Sequence, residues 1–172
     1  IPYSDWLRRG VETLDQGYDG VTGQTDMPLS DHPTDFEVNA RGLMTSEYIT
    51  ANCFYRKSLL EAIGGFDERF EIAWREDTDL FFNALEYHAR LIYAADAVVL
   101  HPIRPQKWGV SLQQQRKNYY DALLFKKHPR LYREKFGNHS PLRYYVTLAS
   151  LAGAIAGLPL RSPQLAAGSG LV

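Results

Sequence analysis

Gly64 to Leu85 reads GGFDERFEIAWREDTDLFFNAL. Its second half carries apolar residues at Leu80, Phe81, Ala84 and Leu85, the spacing of one helix face. That predicts a helix over Glu76–Tyr87. Its first half is punctuation. The pair Gly64-Gly65 ends a short capped helix, SLLEAIGG, over Ser58–Gly65. Phe66–Arg75 has no period and reads as irregular. Beyond the stretch, ARLIYA and AVVLHP are two short strand candidates. Upstream, Thr50–Arg56 (TANCFYR) is another. Helices and strands therefore alternate through this region, which fixes the class as α/β, with helices layered on a mixed sheet. The stretch also raises a question of chemistry. Glu76, Asp77 and Asp79 crowd the predicted helix start, where the positive end of the helix dipole favours carboxylates. They are either a solvated cap or a site.

Outward from this centre the pattern continues. Ser4 can cap a helix through about Gln16, ended by Gly17, with Trp6, Leu7 and Val11 on one face. Asp19–Gln24 is a short strand candidate. Asp26–Glu47 is polar, holds two prolines and reads as one long loop. Asp26 and Asp31 within it have no apolar strand in front of them. Downstream, Trp108 and Gly109 sit in a loop. A long amphipathic helix is predicted over Ser111–Lys127 and a short one from Pro129. Leu142–Leu160 is mostly apolar. Its ~17 usable residues reach roughly 26 Å, short of the ~30 Å of a bilayer core. A docked helix is the first reading and a tilted span the second. The tail from Arg161 reads as frayed. No internal repeat appears.

At 172 residues the chain can bury a core as one domain. Its net charge of -1 says little about partners, but the distribution says more. Residues 1–102 hold 8 Lys/Arg against 18 Asp/Glu, a net of -10, whereas residues 103–139 hold 9 against 2, a net of +7. The basic segment either meets an anionic partner, such as phosphates or an acidic membrane surface, or is balanced by the acidic part and solvent. No nucleic-acid partner is expected. Cys53 is the single cysteine, so no internal disulfide forms, which fits a reducing compartment. An apolar run surrounds it, and core is its ordinary place. Ile1 begins mid-pattern with no basic leader, so a longer parent protein is expected.

The acids of the opening stretch sit where a loop meets a helix. Trp74 lies just ahead of them, and flat aromatic faces suit sugar rings. His101 closes a strand beside a proline, a place for a metal ligand or general base.

Taken together, Asn52-Cys53-Phe54-Tyr55-Arg56-Lys57-Ser58, Gly64-Gly65-Phe66-Asp67, Glu76-Asp77-Thr78-Asp79 and Val98-Val99-Leu100-His101 resemble the second half of a GT-A glycosyltransferase of the large inverting family 2. The resemblance covers about Ile1 to Lys127. It implies the acceptor-side half of a GT-A, Rossmann-like mixed-sheet domain followed by C-terminal helices. It implies that Asp77 is the catalytic base, that Glu76 and Asp79 bind acceptor hydroxyls, and that Trp74 stacks on a sugar. Gly64 and Gly65 would let the backbone approach the donor sugar, and Asn52 and Arg56 would lie near the acceptor or donor pocket. His101 would ligate a divalent cation, Mn²⁺ or Mg²⁺, or touch the diphosphate. Gln113-Gln114-Gln115-Arg116 is similar to the Gln-x-x-Arg-Trp of processive members, but Lys117 stands in place of the tryptophan. That implies a non-processive enzyme, with Arg116 or Lys117 on a diphosphate.

The expected organisation is 1–102 as the acceptor-binding half, 103–139 as basic amphipathic helices, and 140–172 as an apolar helix and tail. The expected partners are a nucleotide-sugar donor, a glycan or glycolipid acceptor, a membrane surface, and a second copy pairing through exposed sheet edges. The expected place is the cytoplasm, at the inner face of the cell membrane. The nucleotide-binding half with its Asp-x-Asp is expected to precede Ile1, and the chain alone to be inactive. A non-catalytic sugar-binding or interaction module is the alternative.

Overall fold

The computed structural model describes residues 1–137 and 142–157. The tail from Arg161, and the end of the apolar run at 158–160, lie outside the described residues. The chain forms two units, Ile1–Leu131 and Tyr132–Val172.

In the first unit, helix α1 spans Trp6–Leu14. Its N-cap is Asp5, and no side chain caps it, so Ser4 does not play the role expected of it. Gly17, at φ 94°, turns the chain away as predicted. Strand β1 follows at Gly20–Asp26 and β2 at Cys53–Tyr55. Between them the expected loop contains helix α2 (Asp35–Ala40) and a 3₁₀ turn over Arg41–Thr45. Thr34 and Glu37 close a reciprocal capping box there. The Thr34-x-x-Glu37 spacing announces that helix, and the two prolines masked it. Helix α3 (Lys57–Ile63) ends at Gly64, whose φ of 83° is left-handed. Gly65 N–H then donates to Leu60 O at 2.9 Å, closing a Schellman turn.

Helix α4 covers Glu76–Glu86, within one residue of the prediction. The two expected short strands are one strand, β3, Leu91–Leu100. The sheet order is β2-β1-β3, with β1–β2 antiparallel and β1–β3 parallel, so the mixed sheet is real. The expected break inside β3 survives as a bulge: Gly23 pairs with Ala94 but Thr25 with Val99. On the outer edge of β3, Tyr3 N–H donates to Val98 O at 3.2 Å and Leu100 N–H to Ile1 O at 2.8 Å. The chain's own first residues thus cover part of the edge that was expected to be open.

Two layers flank the sheet. Trp6, Leu14, Phe54 and Ile92 pack on Val21, Ala94 and Ala97. The Trp6 and Phe54 ring centres are 4.6 Å apart. On the other side Tyr48 meets Tyr55 and stacks on Phe81 of α4 at 4.7 Å. Leu80, Phe82 and Ala84 are buried too, and each larger side chain contributes about 1.5–3 kcal/mol by leaving water.

The long basic helix is broken in two. Helix α5 (Val110–Gln114) passes through a 3₁₀ turn over Gln115–Lys117 into α6 (Asn118–Lys127). Pro129 opens α7, Pro129–Phe136. In the second unit α8 covers Leu142–Gly157. Among the described residues, no helix is long and apolar enough to cross a membrane.

Candidate active site

The start of α4 gathers the sequence's candidates and then sorts them. Arg75 is its N-cap, at φ 73° and ψ -5°. A left-handed arginine costs roughly 1–2 kcal/mol, so something must hold it. Asp121 of α6 does. Its Oδ1 accepts from Arg75 Nε at 2.7 Å and its Oδ2 from Trp74 Nε1 at 3.0 Å. Both partners of the Arg75–Asp121 pair are mostly buried, with side chains 23% and 22% exposed. The left-handed turn stands directly before Glu76 and Asp77.

Asp77 is half-buried there. Its Oδ1 accepts from Thr78 N–H at 2.7 Å and from Thr78 Oγ at 3.3 Å. Its Oδ2 takes no hydrogen bond among the described residues. One oxygen is therefore fixed and the other is open, as a proton acceptor requires.

Glu76 is different. Its Oε2 is buried without a hydrogen-bond partner among the described residues. Burial pushes its carboxyl above the usual range, the Asp77 charge adds to this, and its own backbone N–H and nearby Lys117 oppose it. Glu76 thus has a raised affinity for a proton, while Asp77 presents the open oxygen.

Asp79 turns inward and is fully buried. Lys127 Nζ reaches its Oδ1 at 2.7 Å and Oδ2 at 2.8 Å, and His128 Nε2 lies 3.1 Å from Oδ1. It is committed to the framework, which corrects its reading as an acceptor-binding acid. The same Lys127 bonds Asp67 at 2.5 Å, and His128 Nδ1 faces Glu86 at 3.1 Å. This chain of charges ties α6 to α4 and to the loop before it.

Four further expectations change. Asn52 is fully buried. Its Oδ1 accepts from Trp6 Nε1 at 2.8 Å, and its Nδ2 donates to Gln24 O at 2.6 Å and Ala97 O at 2.9 Å. Those carbonyls flank the β3 bulge, so Asn52 completes the sheet rather than a pocket. Arg56 donates to Tyr18 O at 2.8 Å and Leu14 O at 2.5 Å, closing the end of α1. Gly64 and Gly65 serve the turn after α3, and the space where a Cβ would stand is open at both. Trp74 keeps its place beside the acids, but its ring is taken. Lys117 Nζ lies 4.7 Å from the ring centre and the Arg75 guanidinium 5.1 Å. A sugar stacking on it would have to displace a cation.

Lys117 therefore belongs to the cluster with Trp74 and Glu76. Arg116 does not. It is exposed and lines an open concavity with Leu112 and Gln113. His101 follows β3, its backbone N–H on Asp26 O at 2.8 Å. Its Nδ1 is buried without a partner among the described residues. Asp26 does end a strand, contrary to the expectation, but its Oδ1 accepts from Gln24 at 2.8 Å. Among the described residues no three His, Cys, Asp or Glu side chains converge on a metal position. The described residues do not make a metal site on their own. At Cys53 burial, and then the Asp77 charge, push the thiol up to about 12, away from the thiolate form.

Asp121, Lys127 and His128 escaped the reading of the sequence. One signal was available: Asp121 is the lone acid among the basic residues of 103–127.

The family described as Glycosyl transferase family group 2 matches residues 21–167. No curated protein and no solved structure matches the chain. The matched span takes in every element from β1 onward, and the chain belongs to this family.

Proposed function

We propose that this member of glycosyl transferase family group 2 supplies the acceptor side of a nucleotide-sugar-dependent transferase, with Asp77 as its base. A glycosyltransferase-type function follows from the family. The finer reading rests on one observation: at the α4 start, Asp77 has one oxygen tied by Thr78 and one open. In the proposed step Asp77 Oδ2 takes the proton of an acceptor hydroxyl. The acceptor's hydroxyl oxygen bonds to the anomeric carbon from the face opposite the leaving group. The bond from that carbon to the nucleoside diphosphate breaks, and the diphosphate oxygen keeps the electron pair. The anomeric configuration inverts. Transfer is non-processive, one sugar per encounter.

Glu76, beside Asp77 at the α4 start, accepts a hydrogen bond from an acceptor hydroxyl. Lys117, half-buried beside Glu76 and Trp74, is the better placed of the two proposed diphosphate contacts. His101 can offer one ring nitrogen to a divalent cation, Mn²⁺ or Mg²⁺, whose other ligands would come from elsewhere. The acceptor is proposed to be a glycan or lipid-linked sugar at the inner membrane face. The chain in isolation is proposed not to turn over. Pairing of two copies through the outer edge of β2 is proposed as well.

The test is transfer by the intact enzyme across a panel of nucleotide sugars, with the product anomer read by NMR. Inversion of the donor configuration is expected. A retained configuration would sink the single-base mechanism.

A further inference from the structure

We infer that Lys127 and His128, at the end of α6, are positioning residues that set the first turn of α4 and so aim Asp77, an assignment that rests on Asp77 being the base. Both act through Asp79 rather than on substrate.

Asp77 is bracketed along the chain. Two residues before it, Arg75 is tied to Asp121 of α6. Two residues after it, Asp79 is tied to Lys127 and His128. Asp121, Leu124 and His128 stand at i, i+3 and i+7, one side of α6 carried on to its C-cap. A row of side chains about 10 Å long therefore holds the chain on both sides of the base. The segment leading into α4 is held from α6 as well. Lys127 Nζ bonds Asp67, and Tyr120 stacks on Phe70 at 5.8 Å.

A carboxylate is a costly way to fill a buried helix position. Leucine would gain by leaving water, whereas the Asp79 carboxylate loses its hydration and recovers it only through partners. What the carboxylate adds is direction. Lys127 Nζ spans its fork, 2.7 Å from Oδ1 and 2.8 Å from Oδ2. His128 Nε2 adds a contact to Oδ1 at 3.1 Å, and Asn83 Nδ2 one to Oδ2 at 3.3 Å. Three groups on two oxygens fix the carboxylate plane, and with it the rotation of the turn about the α4 axis. Apolar contact is non-directional and sets no such angle.

The clamp also carries a proton. His128 is buried, with Nε2 toward Asp79 Oδ1 and Nδ1 toward Glu86 Oε2, each at 3.1 Å. Both neighbours are carboxylate oxygens, which accept. Both contacts are hydrogen bonds only when both ring nitrogens are protonated, because neutral imidazole donates once. The imidazolium thus grips α4 at two points, Asp79 in its first turn and Glu86 at its end. The Phe82 ring stands 5.5 Å away, Lys127 shares Asp79, and Asp67 lies beyond Lys127. Burial opposes the charged ring, and the bonds to Asp79 and Glu86 outweigh it. As pH rises through the folded-state value, one grip is released.

Two measurements test the clamp. In the chain, NMR follows the His128 ring and the backbone amide of Thr78, which donates to Asp77 Oδ1 at 2.7 Å. The amide should shift with the midpoint of the His128 ring, and should stay still over that range in His128→Gln. In the intact enzyme, kcat should decline on the alkaline side with the same midpoint, and His128→Gln should remove that decline. Lys127→Met should lower kcat by about 10- to 10²-fold, the scale of a misplaced reacting group, with acceptor KM little changed. Lys127→Arg, which keeps a cation on Asp79, should restore most of the rate. Each variant is assayed well below its own melting temperature, so that lost fold is not read as lost positioning. A Thr78 amide indifferent to His128 would overturn the proposal. So would normal kcat in Lys127→Met when Asp77→Asn has lost transfer. If Asp77→Asn retains transfer, the base assignment falls instead, and the Thr78 titration alone decides whether α6 sets the α4 start.

Discussion

Arg75 and Asp121 meet across two helices, Nε to Oδ1 at 2.7 Å, and the pair holds a left-handed residue directly before Glu76 and Asp77. The backbone strain at Arg75 persists because Asp121 holds both its side chain and that of Trp74. Asp121→Ala removes both contacts. We expect a stability loss of about 1–3 kcal/mol in urea unfolding, and a larger fall in kcat than a change in acceptor KM. Asp121→Asn, which can still accept one of the two hydrogen bonds, should recover part of the activity. Equal kcat in the alanine variant would show that α6 does not position the α4 start.

Asp77→Asn tests the proposed base. The amide keeps the size of the side chain and can still accept from Thr78, so the fold should hold. It cannot take a proton. Transfer by the intact enzyme should fall by about 10²–10⁴-fold, with donor binding unchanged. Residual transfer above a few per cent would move the role to Glu76, whose carboxyl is already pushed up by burial.

Asn52→Ala separates framework from pocket. The substitution strips partners from Trp6 Nε1 and from the Gln24 and Ala97 carbonyls. Each buried group left unpaired costs about 1–3 kcal/mol. Gly23→Ala should damage the same place, since its Cβ would stand 2.0 Å from Ala97 O. Both variants should lower the urea midpoint sharply. An Asn52→Ala protein of normal stability but poor acceptor binding would restore the pocket reading.

Asn52 shows why the sequence yielded the fold more readily than the site. The α4 boundaries followed from an apolar stripe, a local property that a period of 3.6 exposes. Strands β2 and β3 followed from apolar-rich runs, though β3 was expected as two strands. A polar residue carries no such period. Asn52, Arg56 and Asp79 look like chemistry in one dimension because their partners are remote: Asn52 bonds Trp6 and Ala97, and Asp79 bonds Lys127. Only the three-dimensional pairing tells a buried polar strut from a ligand. Thr34 and Glu37 are the opposite case, a local cap that the sequence spells out and that prolines nearby concealed.

The Asp79–Lys127–His128 cluster makes stability depend on pH in a defined direction. Burial disfavours the His128 imidazolium, but hydrogen bonds to Asp79 and Glu86 outweigh it and raise the pKa. A raised folded-state value means that the contribution is complete below the unfolded histidine value of about 6.5 and is lost as pH rises through the folded value. Asp67 works from the other side. The Arg69 and Lys127 contacts hold its carboxyl below the usual range, so its contribution is present above about 3.8 and fades as pH falls. Urea midpoints should therefore decline on both flanks, with the alkaline decline belonging to His128. His128→Gln should lower stability at neutral pH and flatten the alkaline flank alone. Lys127→Met should cost about 1–3 kcal/mol, because it leaves the buried Asp79 carboxylate with His128 and Asn83 alone. Lys127→Met combined with Asp79→Leu should recover much of that loss. If the double variant is no better than the single, the cost lies in packing around α6 rather than in the stranded carboxylate.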